Sequence, residues 1–189
     1  MAKKTLTPAS KINAPQTVRP SGADWCALYP GSTSVNTLVQ PFRAKFIEFQ
    51  TALTNAGITI KITATLRPPE RAYLMHWSWD IAHGICVASA VPAMPGVNID
   101  WVGDPATSIS RAKDMVRTYG LAVEAVLNSR HTQGNAVDMI LSNFEGKQIA
   151  NKNGTMVTIN QISDLYPVGA TYGVIKLQSD PPHWSNDGH

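Results

Sequence analysis

An acid sits where an acid is costly. Asp138 lies inside the apolar run Ala136-Val137-Asp138-Met139-Ile140, which reads as a short strand with one face buried. A carboxylate in such a strand raises the free energy of the fold unless it is paired or binds a metal. Two histidines are candidate partners. His131 stands seven residues upstream and begins a turn containing Gly134. His183 closes the segment Ser179-Asp180-Pro181-Pro182-His183-Trp184, whose two prolines predict an extended backbone with close to three residues per turn. That period turns Asp180 and His183 to the same side. Two imidazoles and one carboxylate make a three-ligand zinc set with a fourth position for water, and Asp180 is left over as a base. No HExxH helix is present, which excludes a thermolysin-like centre. Spacing alone leaves two readings open, a metal hydrolase and a set of ordinary core and turn residues.

The rest of the chain predicts an α+β fold with a small antiparallel sheet packed against helices. At 189 residues there is room for about one domain. Residues 1–22 hold Pro8, Pro15 and Pro20 with four basic residues and no acid, and are expected to form an extended arm; residues 23–189 are expected to form a single domain. Apolar positions from Val35 through Leu38, Phe42, Phe46, Phe49 and Leu53 recur at helical steps as far as Gly57. Ile58, Ile60 and Ile62 alternate as a half-buried strand that delivers Arg67 to its C-terminal end, just ahead of Pro68-Pro69. A helix is expected from Glu70 to about Ile85, and another from the Asp104-Pro105 cap to Gly120. Strands are expected at Ala136 to Leu141, at 147–150 and 156–159 around an Asn153-Gly154 turn, and at Gly173 to Leu177.

Composition narrows the function classes. Sixteen basic and thirteen acidic residues leave a net charge of +3, too small for a nucleic-acid footprint. Cys26 and Cys86 have no CxxC spacing, so neither a disulfide framework nor a thiolate metal site is indicated, and reduced thiols are expected. The nineteen uncharged residues from Ile81 to Ile99 are interrupted by Gly84, Pro92, Pro95 and Gly96, which argues against a membrane span. The basic start Met1-Ala2-Lys3-Lys4 has no apolar segment behind it, so no secretory signal is expected.

The stretch Ser129-Arg130-His131-Thr132-Gln133-Gly134-Asn135-Ala136-Val137-Asp138 resembles the SxHxxGxAxD motif of the VanY-like D-alanyl-D-alanine carboxypeptidase family of zinc peptidases, and Asp180-Pro181-Pro182-His183-Trp184 resembles its second motif. Arg67 is similar to the arginine of that family's first block. The resemblance spans about Ile58 to Trp184. It implies a hedgehog/D-Ala-D-Ala peptidase-like fold with a zinc ion in a cleft on the sheet, held by His131, Asp138 and His183. It further implies Asp180 as general base, with Ser129 and Arg67 holding substrate and Arg67 also facing the oxyanion.

Asp180 stands where the carboxypeptidase and dipeptidase branches usually carry Glu. This resembles the phage-endolysin branch, whose members cleave the L-alanyl-D-glutamate bond of peptidoglycan stem peptides to lyse the host. The resemblance implies a monomeric enzyme that waits in the host cytoplasm and then acts on peptidoglycan in the periplasm, with neither nucleic acid nor an inserted membrane as partner. Two alternatives remain: a D-alanyl-D-alanine carboxypeptidase or dipeptidase, and a non-catalytic zinc-fold module that binds cell wall. An insert at about 75–103 carries Trp77, Trp79 and Trp101. The first two are read as core packing, and Trp101, beside the Val102-Gly103 turn, as a substrate-facing wall.

Overall fold

In the computed structural model, which describes residues 17–189, the chain runs β1 (Arg19–Pro20), α1 (Phe42–Asn55), β2 (Thr59–Ala64), α2 (Pro69–Ala82), β3 (Ile99–Asp100), α3 (Pro105–Tyr119), β4 (Ala136–Ser142), β5 (Lys147–Ala150), β6 (Met156–Ile159), α4 (Leu165–Thr171), β7 (Ile175–Lys176) and β8 (His183–Ser185). The fold is α+β with small antiparallel sheets, as expected. Most of the arm expected at 1–22 lies outside the described residues. The described residues divide into two compact units: one holds residues 17–30 together with Glu70–Ala125, the other Gly31–Pro69 and Val126–His189.

The second unit contains a four-stranded sheet in the order β2-β4-β8-β7, antiparallel throughout, and the separate hairpin β5-β6. Its core follows from two periodicities. Phe42, Phe46, Phe49 and Leu53 recur at three- and four-residue steps along α1 and are all buried, while Val137, Met139 and Leu141 alternate along β4 on one face of the sheet. Trp184 of β8 joins them, 1% exposed, with its ring centroid 5.7 Å from those of both Phe49 and Tyr166. The other face of β4 carries Asp138.

α1 begins later than the apolar pattern suggests. Val35–Thr37 forms a separate short 3-10 turn and Pro41 occupies the N-cap position, because the residue before a proline is disfavoured in helical conformation. α4 is not legible in the sequence, since Pro167 and Gly169 fall inside its seven residues. Gly169 is there for packing: a Cβ on it would lie 2.8 Å from Trp184 Cζ3 and 2.8 Å from the Val174 carbonyl oxygen.

In the first unit, α2 and α3 bury Tyr73, Leu74, Ile81, Ala112 and Met115 with Trp25, Tyr29 and Trp101. α3 is bounded as predicted. Asp104 accepts a hydrogen bond from the Thr107 N–H, Pro105 fills the first turn, and Gly120 ends the helix in the left-handed region. β1 pairs with β3 in parallel. Cys26 and Cys86 are both free. Among the described residues no helix is long and apolar enough to cross a membrane.

Candidate metal centre

Asp138, His183 and His131 meet on one face of the β4-β8 ladder. Asp138 and His183 are direct cross-strand partners, so their side chains project from the same face as neighbours. His131 reaches them from the loop before β4. Its Nε2 lies 3.0 Å from Asp138 Oδ1 and 3.1 Å from His183 Nδ1, and Asp138 Oδ1 lies 3.2 Å from His183 Nδ1. Tetrahedral zinc with bonds of about 2.0–2.1 Å separates its ligand atoms by about 3.3 Å. The three observed edges match such a site.

The protons decide what this triangle is for. His131 Nδ1 lies 2.9 Å from the carbonyl oxygen of Thr65, and His183 Nε2 lies 3.1 Å from the backbone oxygen of His189. A carbonyl only accepts, so each neutral imidazole spends its one N–H there. The nitrogens that face Asp138 are then lone pairs, and three lone pairs point at one another. A cation resolves that arrangement, with the carbonyls serving as the outer partners that orient ligating histidines. Without a metal, protons must stand in. Burial pulls the His183 imidazole down, but its hydrogen bonds to Asp138 and His189 and the charges of Asp138 and Asp180 outweigh it, so its pKa is raised. Burial pushes the Asp138 carboxyl up, yet the hydrogen bonds and charges of the two histidines hold it well below the usual carboxylate range.

The loop geometry that delivers His131 requires Gly134. Its φ is 69°, in the left-handed region, and a Cβ there would come within 3.0 Å of Val39 Cγ1 and 3.2 Å of the Thr37 carbonyl oxygen. The Val39 N–H in turn donates to the Gly134 carbonyl at 3.0 Å. Thr65, wholly buried just after β2, is fixed by hydroxyl bonds to Thr37 Oγ1 and to the Ser32 carbonyl.

A cavity of about 460 Å³ opens over His131 and His183 and is lined also by Arg67, Ser129 and Asp180. Six of the seven residues predicted from sequence therefore fall at one site. The backbone N–H of Arg67 donates to the His131 carbonyl at 3.2 Å, which ties the post-β2 segment to the histidine loop. Ser129 Oγ accepts from the Thr132 N–H at 3.3 Å, leaving its hydroxyl proton available to the cavity.

Trp101 corrects the expectation of a substrate-facing wall. It is 5% exposed in the core of the first unit, and its indole N–H donates to the Tyr73 hydroxyl at 3.1 Å. A buried, satisfied indole has no face left for a ligand. The diproline segment is a second correction. The His183 N–H donates to the Asp180 carbonyl at 3.0 Å, closing a four-residue turn between β7 and β8 where an extended backbone was expected. Asp180 is exposed at its first position, on the cavity side.

Lys176 is the neighbour of this cluster that sequence reasoning missed. It is 7% exposed, and its ammonium donates to the carbonyls of Leu177, Asp180 and His183, so it binds both ends of the turn. Desolvation lowers its pKa, opposed by the charges of Asp180 and Asp138. As a lone lysine in a short strand it carries no pattern that distinguishes it from a solvated one. Arg130 pairs with Asp187, and Ser185 Oγ accepts from the N–H groups of Gly188 and His189, which fixes the segment that supplies the His183 partner.

Comparison with models of known protein families and with curated proteins finds no match to this chain.

Proposed function

We propose that the chain is a zinc-dependent peptidoglycan endopeptidase of the phage-endolysin type, hydrolysing the L-alanyl-D-glutamate bond of stem peptides, on a hedgehog/D-Ala-D-Ala peptidase-like fold. The observation that carries the metal is the trio of facing lone pairs on His131 Nε2, Asp138 Oδ1 and His183 Nδ1, with both imidazole protons committed to backbone oxygens. An N₂O donor set of this kind suits zinc, and three protein ligands leave a fourth position open. Zinc held there supplies Lewis-acid polarisation of a carbonyl and a water whose pKa falls to about 7.

The remaining steps belong to the chain's own residues. Asp180, at the cavity wall three residues from a ligand, accepts the proton of the attacking water and returns it to the departing amine. Arg67 faces the oxyanion that develops at the scissile carbonyl, where a preorganised cation counts most. Ser129 hydrogen-bonds the substrate backbone. A module that only binds needs the three ligands but has no use for a carboxylate and a guanidinium in the same cavity, so these two residues support an enzyme.

The bond assignment rests on Asp180 in place of Glu. Mass spectrometry of fragments released from purified peptidoglycan tests it. A new amino terminus on D-glutamate is expected; free D-alanine as the main product would transfer the chain to the carboxypeptidase reading.

A further inference from the structure

A second cluster of metal-ligating groups lies in the first unit, made of residues that the proposed reaction does not use. His76 and Asp80 are one helical turn apart on α2 and share a face. Glu124 comes to them from the segment after α3, with Oε1 2.9 Å from His76 Nδ1. One ligand atom from each of the three residues lies within 4.8 Å of the other two.

The His76–Glu124 pair accounts for one side of the ring, and two details show that internal pairing leaves the Asp80 side unsatisfied. Asp80 is 7% exposed, and its Oδ1 is buried with no hydrogen-bond partner. Its Oδ2 stands 3.9 Å from His76 Nε2, beyond hydrogen-bond range. A buried carboxylate oxygen left unsatisfied costs free energy that a native fold seldom leaves uncompensated. On the other side of the ring, His76 Nδ1 lies 3.0 Å from the Ala125 carbonyl. That carbonyl and the Glu124 carboxylate, both acceptors, fix the proton on Nδ1 and leave the Nε2 lone pair toward Asp80. Glu124, with its side chain 44% exposed, reaches the same point by swinging its carboxylate off His76 Nδ1, which keeps the Ala125 carbonyl as acceptor.

We propose that His76, Asp80 and Glu124 form a second divalent-cation site, independent of the His131/Asp138/His183 centre. One imidazole and two carboxylates favour a borderline first-row cation such as Zn²⁺ over a hard cation that prefers oxygen alone. The bound cation satisfies Asp80 Oδ1 and clasps the segment 121–125 to α2. The Ala125 carbonyl takes the role of outer partner to the ligating ring, as the Thr65 carbonyl does for His131.

Equilibrium dialysis of the full chain against micromolar Zn²⁺, followed by metal analysis, tests this. The wild type is expected to hold two equivalents. His131→Ala should hold one, and so should Glu124→Gln and Asp80→Asn. In the His131→Ala background, Zn²⁺ should still raise the melting temperature, and adding Glu124→Gln should abolish that rise. The loss of affinity at this site should exceed the about 10- to 100-fold that removing an outer partner costs. Glu124→Gln changes a partly exposed side chain, so it carries the test even where Asp80→Asn folds poorly. A single equivalent that His131→Ala removes, or wild-type stoichiometry in folded Glu124→Gln, overturns the proposal. A single equivalent that survives His131→Ala and disappears in Glu124→Gln would instead uphold it and defeat the zinc peptidase reading.

Discussion

Replacing Lys176 with methionine isolates the part of the centre that holds the β7-β8 turn in position. The change keeps the aliphatic stem and opens little space, so the effect comes from the ammonium. Its three N–H groups serve the carbonyls of Leu177, Asp180 and His183. Each of those carbonyls also accepts a backbone N–H, from Asp180, His183 and Leu177 respectively, so none is orphaned when the lysine goes. Hydrogen bonds to a charged group contribute about 1.5–3 kcal/mol each, so three sum to about 4–9 kcal/mol. Against this stands the burial of an ammonium, which costs several kcal/mol and is recovered in methionine. The difference is about 2 kcal/mol, or a fall in melting temperature of about 4–8 °C for a chain of this length. Catalysis should suffer more than stability. The turn carries both Asp180 and His183, and a shift of about 1 Å in a reacting group can cost about 10² in rate. Turnover on peptidoglycan, zinc stoichiometry and thermal unfolding of Lys176→Met are measured together. Expected are full zinc occupancy at saturating metal, the modest thermal shift and a turnover loss of about a hundredfold. Unchanged turnover with a lowered melting temperature would refute the positioning argument and leave Lys176 a purely structural residue.

Asp180→Ala should fold and bind zinc at the His131 centre while hydrolysis falls by about 10²–10⁴, the range for a general acid–base group; loss of that zinc would make Asp180 a ligand. Arg67→Ala should lower turnover by about 10²–10³, and near-normal kinetics would show that another cation faces the oxyanion. Gly169→Ala should destabilise the second unit by about 1–3 kcal/mol through overpacking against Trp184 and the Val174 carbonyl, read as a lowered denaturation midpoint. In metal-free protein the raised pKa of His183 gives stability that is present below its ordinary 6.5 and lost as pH rises through the folded value. The depressed Asp138 gives stability present above its ordinary 3.8 and lost as pH falls through the folded value. Maximum stability without metal is therefore expected at about pH 4–6.5, and zinc, which displaces the His183 proton, should move it upward. A metal-free maximum above pH 7 would contradict the assignment.

Those parts of the molecule that depend on neighbouring residues were legible in the sequence. The α3 boundaries follow from Asp104, Pro105 and Gly120, and the β5-β6 hairpin from Asn153-Gly154. The clustering of His131, Asp138 and His183 was legible because an acid within an apolar strand demands a partner. What escaped depends on contacts far apart in the chain. Trp101 looks the same in sequence whether it packs under Tyr73 or lines a cleft, and the His76/Asp80/Glu124 cluster needs a residue 44 positions beyond Asp80. Two prolines predict extension until a backbone hydrogen bond closes across them, as it does between Asp180 and His183.

β8 is only three residues long, yet it presents His183 to the candidate metal centre and Trp184 to the core. Sliding the strand by a single residue would exchange them, burying an imidazole among phenylalanines and turning an indole toward Asp138. The aromatic core thus works as a ruler: its preference for Trp184 measures out where the neighbouring imidazole must stand. The geometry of the proposed metal centre is accordingly open to mutation from behind, through residues such as Phe49 and Tyr166 that touch Trp184 and none of the three candidate ligands.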